Sequence, residues 1–150
     1  MTQFREFMRR SSGNWNSTRR YVYTEKNVIS NLNSNLTVDF VKEDDKEFQV
    51  DLSWETYNEK ENLVSEGRMV TVGNETELKR NVGYMTEDAT VCSVKMIDDD
   101  CVVFNTEYDG MRFREEIRLV ENDSIRLRQT LGFKNENDLF LVGQYLEKRV

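Results

Sequence analysis

The stretch SIRLRQTLGF, residues 124–133, carries Arg126 and Arg128 two positions apart. In a β-strand that spacing puts both guanidiniums on one face, with Ile125 and Leu127 on the other. Two permanent positive charges side by side call for an anion, and the planar fork of arginine matches a carboxylate. The chemistry within reach of such a pair is the capture of an acidic ligand.

Neighbouring segments extend the pair into a panel. Hairpin register is set by placing apolar residues beside apolar ones, because a one-residue slip moves every side chain to the opposite face. Pairing Ile117 with Leu127 leaves a three-residue loop, Glu121 to Asp123, and pairing Leu127 with Leu146 leaves a four-residue loop, Asn135 to Asp138. Both are ordinary hairpin lengths. This register predicts one face with Ile117, Leu127 and Leu146, next to Phe113, Leu131 and Val142. The other face aligns Glu116, Arg128 and Tyr145, with Arg118, Arg126 and Glu147 in the adjoining row and Arg114 and Thr130 beyond.

Opposed Glu and Arg stabilise a sheet by about 0.2–1 kcal/mol, whereas Arg118 and Arg126 repel unless something negative lies between them. Two readings stay open: a solvated outer face whose ion pairs contribute little, or the lining of a cavity that binds an anion. The second requires the apolar Ile117–Leu127–Leu146 face to be covered by the N-terminal segment or by a partner. Left exposed, it would favour self-association, which leaves a homodimer open.

Further candidates lie near the N-terminus. Trp15, Ser17, Arg19, Tyr21 and Tyr23 share a face, with Thr18, Arg20 and Val22 on the other, and aromatics beside a cation suit a flat conjugated ligand. Trp54 shares a face with Phe48, Val50 and Leu52, the ordinary setting of a core residue. Asp98-Asp99-Asp100 lacks the alternating ligands, central Gly and closing Glu of a calcium loop, so no metal is expected. Cys92 and Cys101 are read as structural free thiols rather than a disulfide. The chain has no histidine and no G-x-S-x-G, which disfavours a conventional hydrolase.

The elements that must position these residues are mostly strands. The 150 residues fit one domain, 1–150, without proline, repeat or low-complexity tract. The pattern at Phe4, Phe7, Met8 and Ser11 predicts a short N-terminal helix, with Thr2 as N-cap and Gly13 as stop. Ten strands follow: 15–25, 34–42, 47–57, 63–73, 77–85, 89–97, 101–108, 111–120, 125–134 and 139–150. Consecutive strands with short turns predict an all-β fold, a ten-stranded antiparallel up-and-down barrel.

A net charge of −7 argues against a nucleic-acid partner. No apolar run is long enough for a membrane-spanning helix and no leader is evident after Met1, so a soluble, cytoplasmic protein is expected and the sequons at Asn16, Asn35, Asn74 and Asn122 carry no weight.

Four segments together, GNWNSTRR, DLSWET, FREEIRLVENDSIRLRQT and the terminal YLEKRV, resemble the CpcS/CpeS (S/U-type) phycobiliprotein lyases over nearly the whole chain. The resemblance implies a lipocalin-like barrel of ten strands. It also implies an open-chain phycobilin as substrate rather than a tightly bound cofactor, with thioether attachment to a cysteine of an apo-phycobiliprotein, so that neither Cys92 nor Cys101 is the acceptor.

By motif, the family's pocket residues fall on Arg19 (with Arg20 as the neighbouring alternative), Trp54, Glu116, Arg126, Arg128 and Glu147. Glu116, Arg126, Arg128 and Glu147 also belong to the panel drawn from hairpin register, as does Tyr145. The implied roles are propionate binding by Arg126 and Arg128 with Arg19, and hydrogen bonding or protonation of the pyrroles by Glu116. The family also suggests phycoerythrobilin and a phycoerythrin subunit, in a cyanobacterium, a plastid or an infected host cell. A carrier that binds bilin without transferring it is the rival.

Overall fold

A computed structural model describes residues 3–83 and 85–150. A single helix, α1 (Gln3–Arg10), precedes ten strands: β1 (Gly13–Tyr23), β2 (Val28–Glu43), β3 (Phe48–Tyr57), β4 (Leu63–Gly73), β5 (Glu77–Arg80), β6 (Thr90–Asp98), β7 (Cys101–Tyr108), β8 (Met111–Val120), β9 (Ile125–Lys134) and β10 (Asp138–Arg149). Each strand pairs antiparallel with the next, and β1 closes the ring on β10, so the predicted up-and-down barrel is the fold. Closure leaves no edge strand exposed. Thr2 lies outside the described residues. β2 begins six residues before the predicted start, and β5 ends at Arg80 because Asn81 turns the chain, its amide and side chain bonding the backbone of Val70.

The helix closes one end. Eight residues are too few for a helix stable by itself; this one is held by burying Phe4, Phe7 and Met8 in the barrel. The Phe4 ring meets Phe48 and Phe104 edge-on, with centroids 5.4 and 5.7 Å away. Acidic turns fasten its polar face. Arg10 bonds both carboxylate oxygens of Asp123, at 3.0 and 2.7 Å, and reaches Asp100 at 2.6 Å, while Gln3 bonds Asp99. Asp98 pairs with Arg118. The three aspartates of the Asp98-Asp99-Asp100 turn are thus engaged as anchors for α1 and β8.

The hairpin register differs from expectation at one place. Leu146 does pair with Leu127, Tyr145 with Arg128 and Glu147 with Arg126, although a bulge at Phe140 shortens the β9–β10 loop. Between β8 and β9, however, Val120 pairs with Ile125, so the turn has four residues, with Glu121, Asn122 and Asp123 all at positive φ and Ser124 bonded back to Glu121. Ile117 therefore pairs with Arg128, not Leu127. That single step inverts every side chain of β8 relative to the expected panel. Phe113, Glu115, Ile117 and Leu119 face in, and Arg114, Glu116 and Arg118 face out.

The two thiols are free and buried. Cys92 pairs across the sheet with Thr106 while Cys101 pairs with Asp98, so about five rungs of ladder, roughly 17 Å, separate them. A disulfide needs Cα atoms within about 7 Å. Burial pushes both thiols up, away from the reactive thiolate.

Candidate functional site

A cavity of about 430 Å³ runs along the barrel, from Met8 and Ser11 beside the helix to Tyr23 and the exposed Met85 at the opposite end. Its volume lies in the range of small-molecule sites, roughly 300–1,000 Å³. Its two sides differ in chemistry. β2 to β4 contribute Leu36, Val38, Leu52, Trp54 and Met69, whereas β8, β9, β10 and β1 contribute Glu115, Arg126, Arg128, Tyr145 and Arg19.

The polar side is built by register. On β9, Arg126 and Arg128 both face the interior, where their guanidiniums are largely removed from water. Glu147, on β10 opposite Arg126, has no exposed surface and sits among three cations. Its Oε1 lies 3.1 Å from Arg126 Nε, off the N–H axis, so this is an ion pair without a hydrogen bond. Its Oε2 accepts from Arg128 Nη1 at 3.2 Å and faces Arg19 Nη2 at 3.9 Å. Arg19 is held in turn by Ser17 Oγ, which accepts from its Nε at 3.0 Å.

A lone buried carboxylate would cost several kcal/mol in desolvation. Burial does work against ionised Glu147, but Arg128 and Arg126, helped by the Ser17 hydroxyl and Arg19, outweigh it and hold the carboxyl down at about 2.

The second carboxylate is Glu115. Its Oε2 lies 3.4 Å from Arg128 Nη2, and its Oε1 is 3.4 Å from Nη2 of Arg80 on β5. Burial opposes the charge of Arg128, yet Glu147 and Glu115 overcome it and raise its pKa. Among the described residues, Arg126 faces one carboxylate at ion-pair distance, that of Glu147. Burial, together with repulsion from Arg128 and Arg19, pulls it down to about 10, which leaves it charged at neutral pH. Its guanidinium lies 5.4 Å from the Trp15 ring.

Aromatic rings hold these charges in place. Arg128 stacks over Tyr145 at 4.5 Å and Arg19 approaches the same ring at 5.3 Å. Burial and neighbouring Tyr21 raise the Tyr145 phenol, so it stays neutral. Tyr145 lies across Gly143, where an added Cβ would come within 2.7 Å of its hydroxyl. Across the cavity, Trp54 lies on Gly67 in the same way, a Cβ there falling 2.6 Å from the indole. Trp54 is accordingly a cavity wall bordering the core rather than a fully buried core residue.

Arg19, Trp54, Arg126, Arg128, Tyr145 and Glu147 are thus brought together as expected, and the arginine pair points inward. Glu116 is the correction. It sits on the outer face, partly exposed and 3.4 Å from Arg114, and Glu115 occupies the inner position. Arg118 and Arg114 leave the panel with it, and Arg20 points out to Asn31. The signal for Glu115 was present: it is in phase with Phe113, Ile117 and Leu119. Arg80, in phase with Leu78, was also readable as inward-facing and was missed.

Comparisons with known proteins agree with this architecture. The family described as CpeS-like protein matches residues 3–71 and 47–150. The candidate phycocyanobilin lyase CpcS 2 of Nostoc sp. is 26% identical, across 99% of this chain and 92% of its own. The candidate chromophore lyase CpcV of Picosynechococcus sp. is 28% identical, across 96% of this chain and 80% of its own. Among solved structures, the S-type phycobiliprotein lyase CPES from Guillardia theta superposes with a TM-score of 0.78 at 21% identity, covering 99% of this chain and 93% of that one. A DUF3598-family protein of unknown function from Nostoc punctiforme shares the fold at 11% identity, with a TM-score of 0.66 over 95% of this chain and 49% of its own.

Proposed function

Since the chain belongs to the CpeS-like family, we propose that it is a phycobiliprotein lyase: it binds an open-chain phycobilin non-covalently in the barrel and passes it to a cysteine of an apo-phycobiliprotein subunit. The observation that carries this is the divided cavity. Apolar and aromatic residues on one side suit a conjugated tetrapyrrole, and buried arginines on the other suit its two propionates. Four guanidiniums, of Arg19, Arg80, Arg126 and Arg128, against the carboxylates of Glu115 and Glu147 leave two positive charges, the complement of a dianion.

Phycoerythrobilin and a phycoerythrin subunit are the specific substrate and client. The protein works by positioning. Arg19, Arg126 and Arg128 hold the propionates, Trp54 and Tyr145 bound the ring system, and Glu115 hydrogen-bonds the pyrrole nitrogens or exchanges a proton with them. The client thiolate adds across a double bond of ring A, whose π bond breaks as the C–S bond of the thioether forms and the tetrapyrrole takes up one proton. Cys92 and Cys101 take no part, being buried with raised pKa values.

The test is to add phycoerythrobilin to the purified protein, follow the absorbance, then add the apo-subunit and weigh the adduct. A carrier without transferase activity would bind bilin but leave the apo-subunit's mass and rate of chromophorylation unchanged. Glu115→Gln is expected to alter the bound-bilin spectrum and slow transfer, whereas Glu116→Gln, on the outer face, leaves both as they are. The reverse pattern would return the role to Glu116.

A further inference from the structure

Arg80 stands apart from the arginines gathered round Glu147. In the ring of ten strands β5 is five steps from β10 in either direction, so Arg80 enters the cavity from the wall facing Tyr145 and Glu147. β5 is only four residues long and alternates strictly, Leu78 and Arg80 buried, Glu77 and Lys79 exposed. Its ladder partners are Thr71 on β4 and Thr90 on β6, and its guanidinium lies 5.3 Å from the Phe104 ring. An apolar side chain would serve packing there, as Leu78 does in the same strand. A cation at 7% exposure is the costlier occupant, and it borders the cavity.

Its link to the other wall is Glu115, which faces Arg80 with one oxygen and Arg128 with the other, both at 3.4 Å. These contacts exceed the roughly 2.7–2.9 Å of a strong charge-assisted bond. One carboxylate spans the gap between the two guanidiniums, so both lie within reach of one edge of a single ligand.

We infer that Arg80 is a second carboxylate-binding station, which takes one acidic arm of the ligand while Arg128, with Arg126 and Arg19, takes the other. The site then selects dicarboxylates over monoacids and esters, and it fixes which way round the ligand lies between the two walls. This inference rests on the bilin reading above.

An open-chain bilin diacid and its dimethyl ester, titrated separately into the intact protein and its Arg80→Gln and Arg80→Lys variants, provide the test. Arg80→Gln is expected to weaken diacid binding about tenfold or more while changing ester affinity little, so the diacid-to-ester preference falls by the same factor. Arg80→Lys keeps the charge without the fork and is expected to lose about threefold. It supplies the same ratio if the Gln variant does not fold. A purely structural Arg80 would weaken both ligands equally and leave the ratio unchanged, which overturns the inference while bilin binding stands. If neither compound binds the unaltered protein, the bilin reading and this one fall together.

Discussion

Glu147 shows how the site's charges are kept. With no exposed surface, it is ionised because Arg128, Arg126 and Arg19 surround it. Its folded-state pKa of about 2 lies below the ordinary 4.5, so its ionised form stabilises the fold above about pH 4.5. That contribution, on the order of a few kcal/mol, is lost as pH falls toward 2. Glu147→Gln is therefore expected to cost about 3–5 kcal/mol at pH 7, since it strands buried cations. The gap between variant and parent in urea midpoint should narrow as the pH is lowered from 5 to 3. A constant gap would mean that Glu147 acts through packing alone. Because β9 and β10 pair as their sequences suggest, Arg126, Arg128, Tyr145 and Glu147 could all be placed before the fold was known.

At the scale of elements, β8 illustrates how a sound rule misleads. Apolar-beside-apolar pairing presumes an interior that is apolar on every strand. This interior is mixed: β8 turns Phe113, Ile117 and Leu119 inward, while β9 turns Arg126 and Arg128 inward beside them. Matching Ile117 to Leu127 therefore chose the wrong parity, and a four-residue turn with three residues at positive φ supplied the difference. Leu127 and Leu146 consequently face solvent. The pairing of β3 with β4 makes another prediction, because Trp54 lies on the bare backbone of Gly67. Gly67→Val should push the indole off the strand, cost about 1–3 kcal/mol by overpacking, and shift Trp fluorescence while weakening bilin binding. An unchanged spectrum and affinity would show that the ring has room to move.

Over the whole molecule, charge is divided between inside and outside. The chain carries −7 in total, yet the cavity's four arginines outnumber its two glutamates, so the remaining surface is more acidic than the total suggests. On the proposed function, a dianionic bilin would be repelled on approach and attracted once inside. Raising ionic strength screens the outer charges far more than the buried ones. The association rate should thus rise about threefold between 0.02 and 0.2 M salt, while the dissociation rate changes little. Stopped-flow absorbance measures both, and an association rate that falls with salt would instead place attractive charge at the mouth. The acidic turns that contribute to this surface also fasten α1, through Arg10 to Asp100 and Asp123.

Strand count, the apolar stripe of α1 and the facing of β9 against β10 were all determined by the sequence, because they rest on local periodicity and short hairpins. Tertiary structure decided the remainder. Which face of the panel is inside depends on ring closure between β1 and β10, contacts more than a hundred residues apart in the chain. The choice of Glu115 over Glu116 hung on one residue of turn, whose left-handed backbone no periodicity reveals. Arg80 joined the site only because closing ten strands into a ring carries β5 opposite β10, where its buried guanidinium meets Glu115.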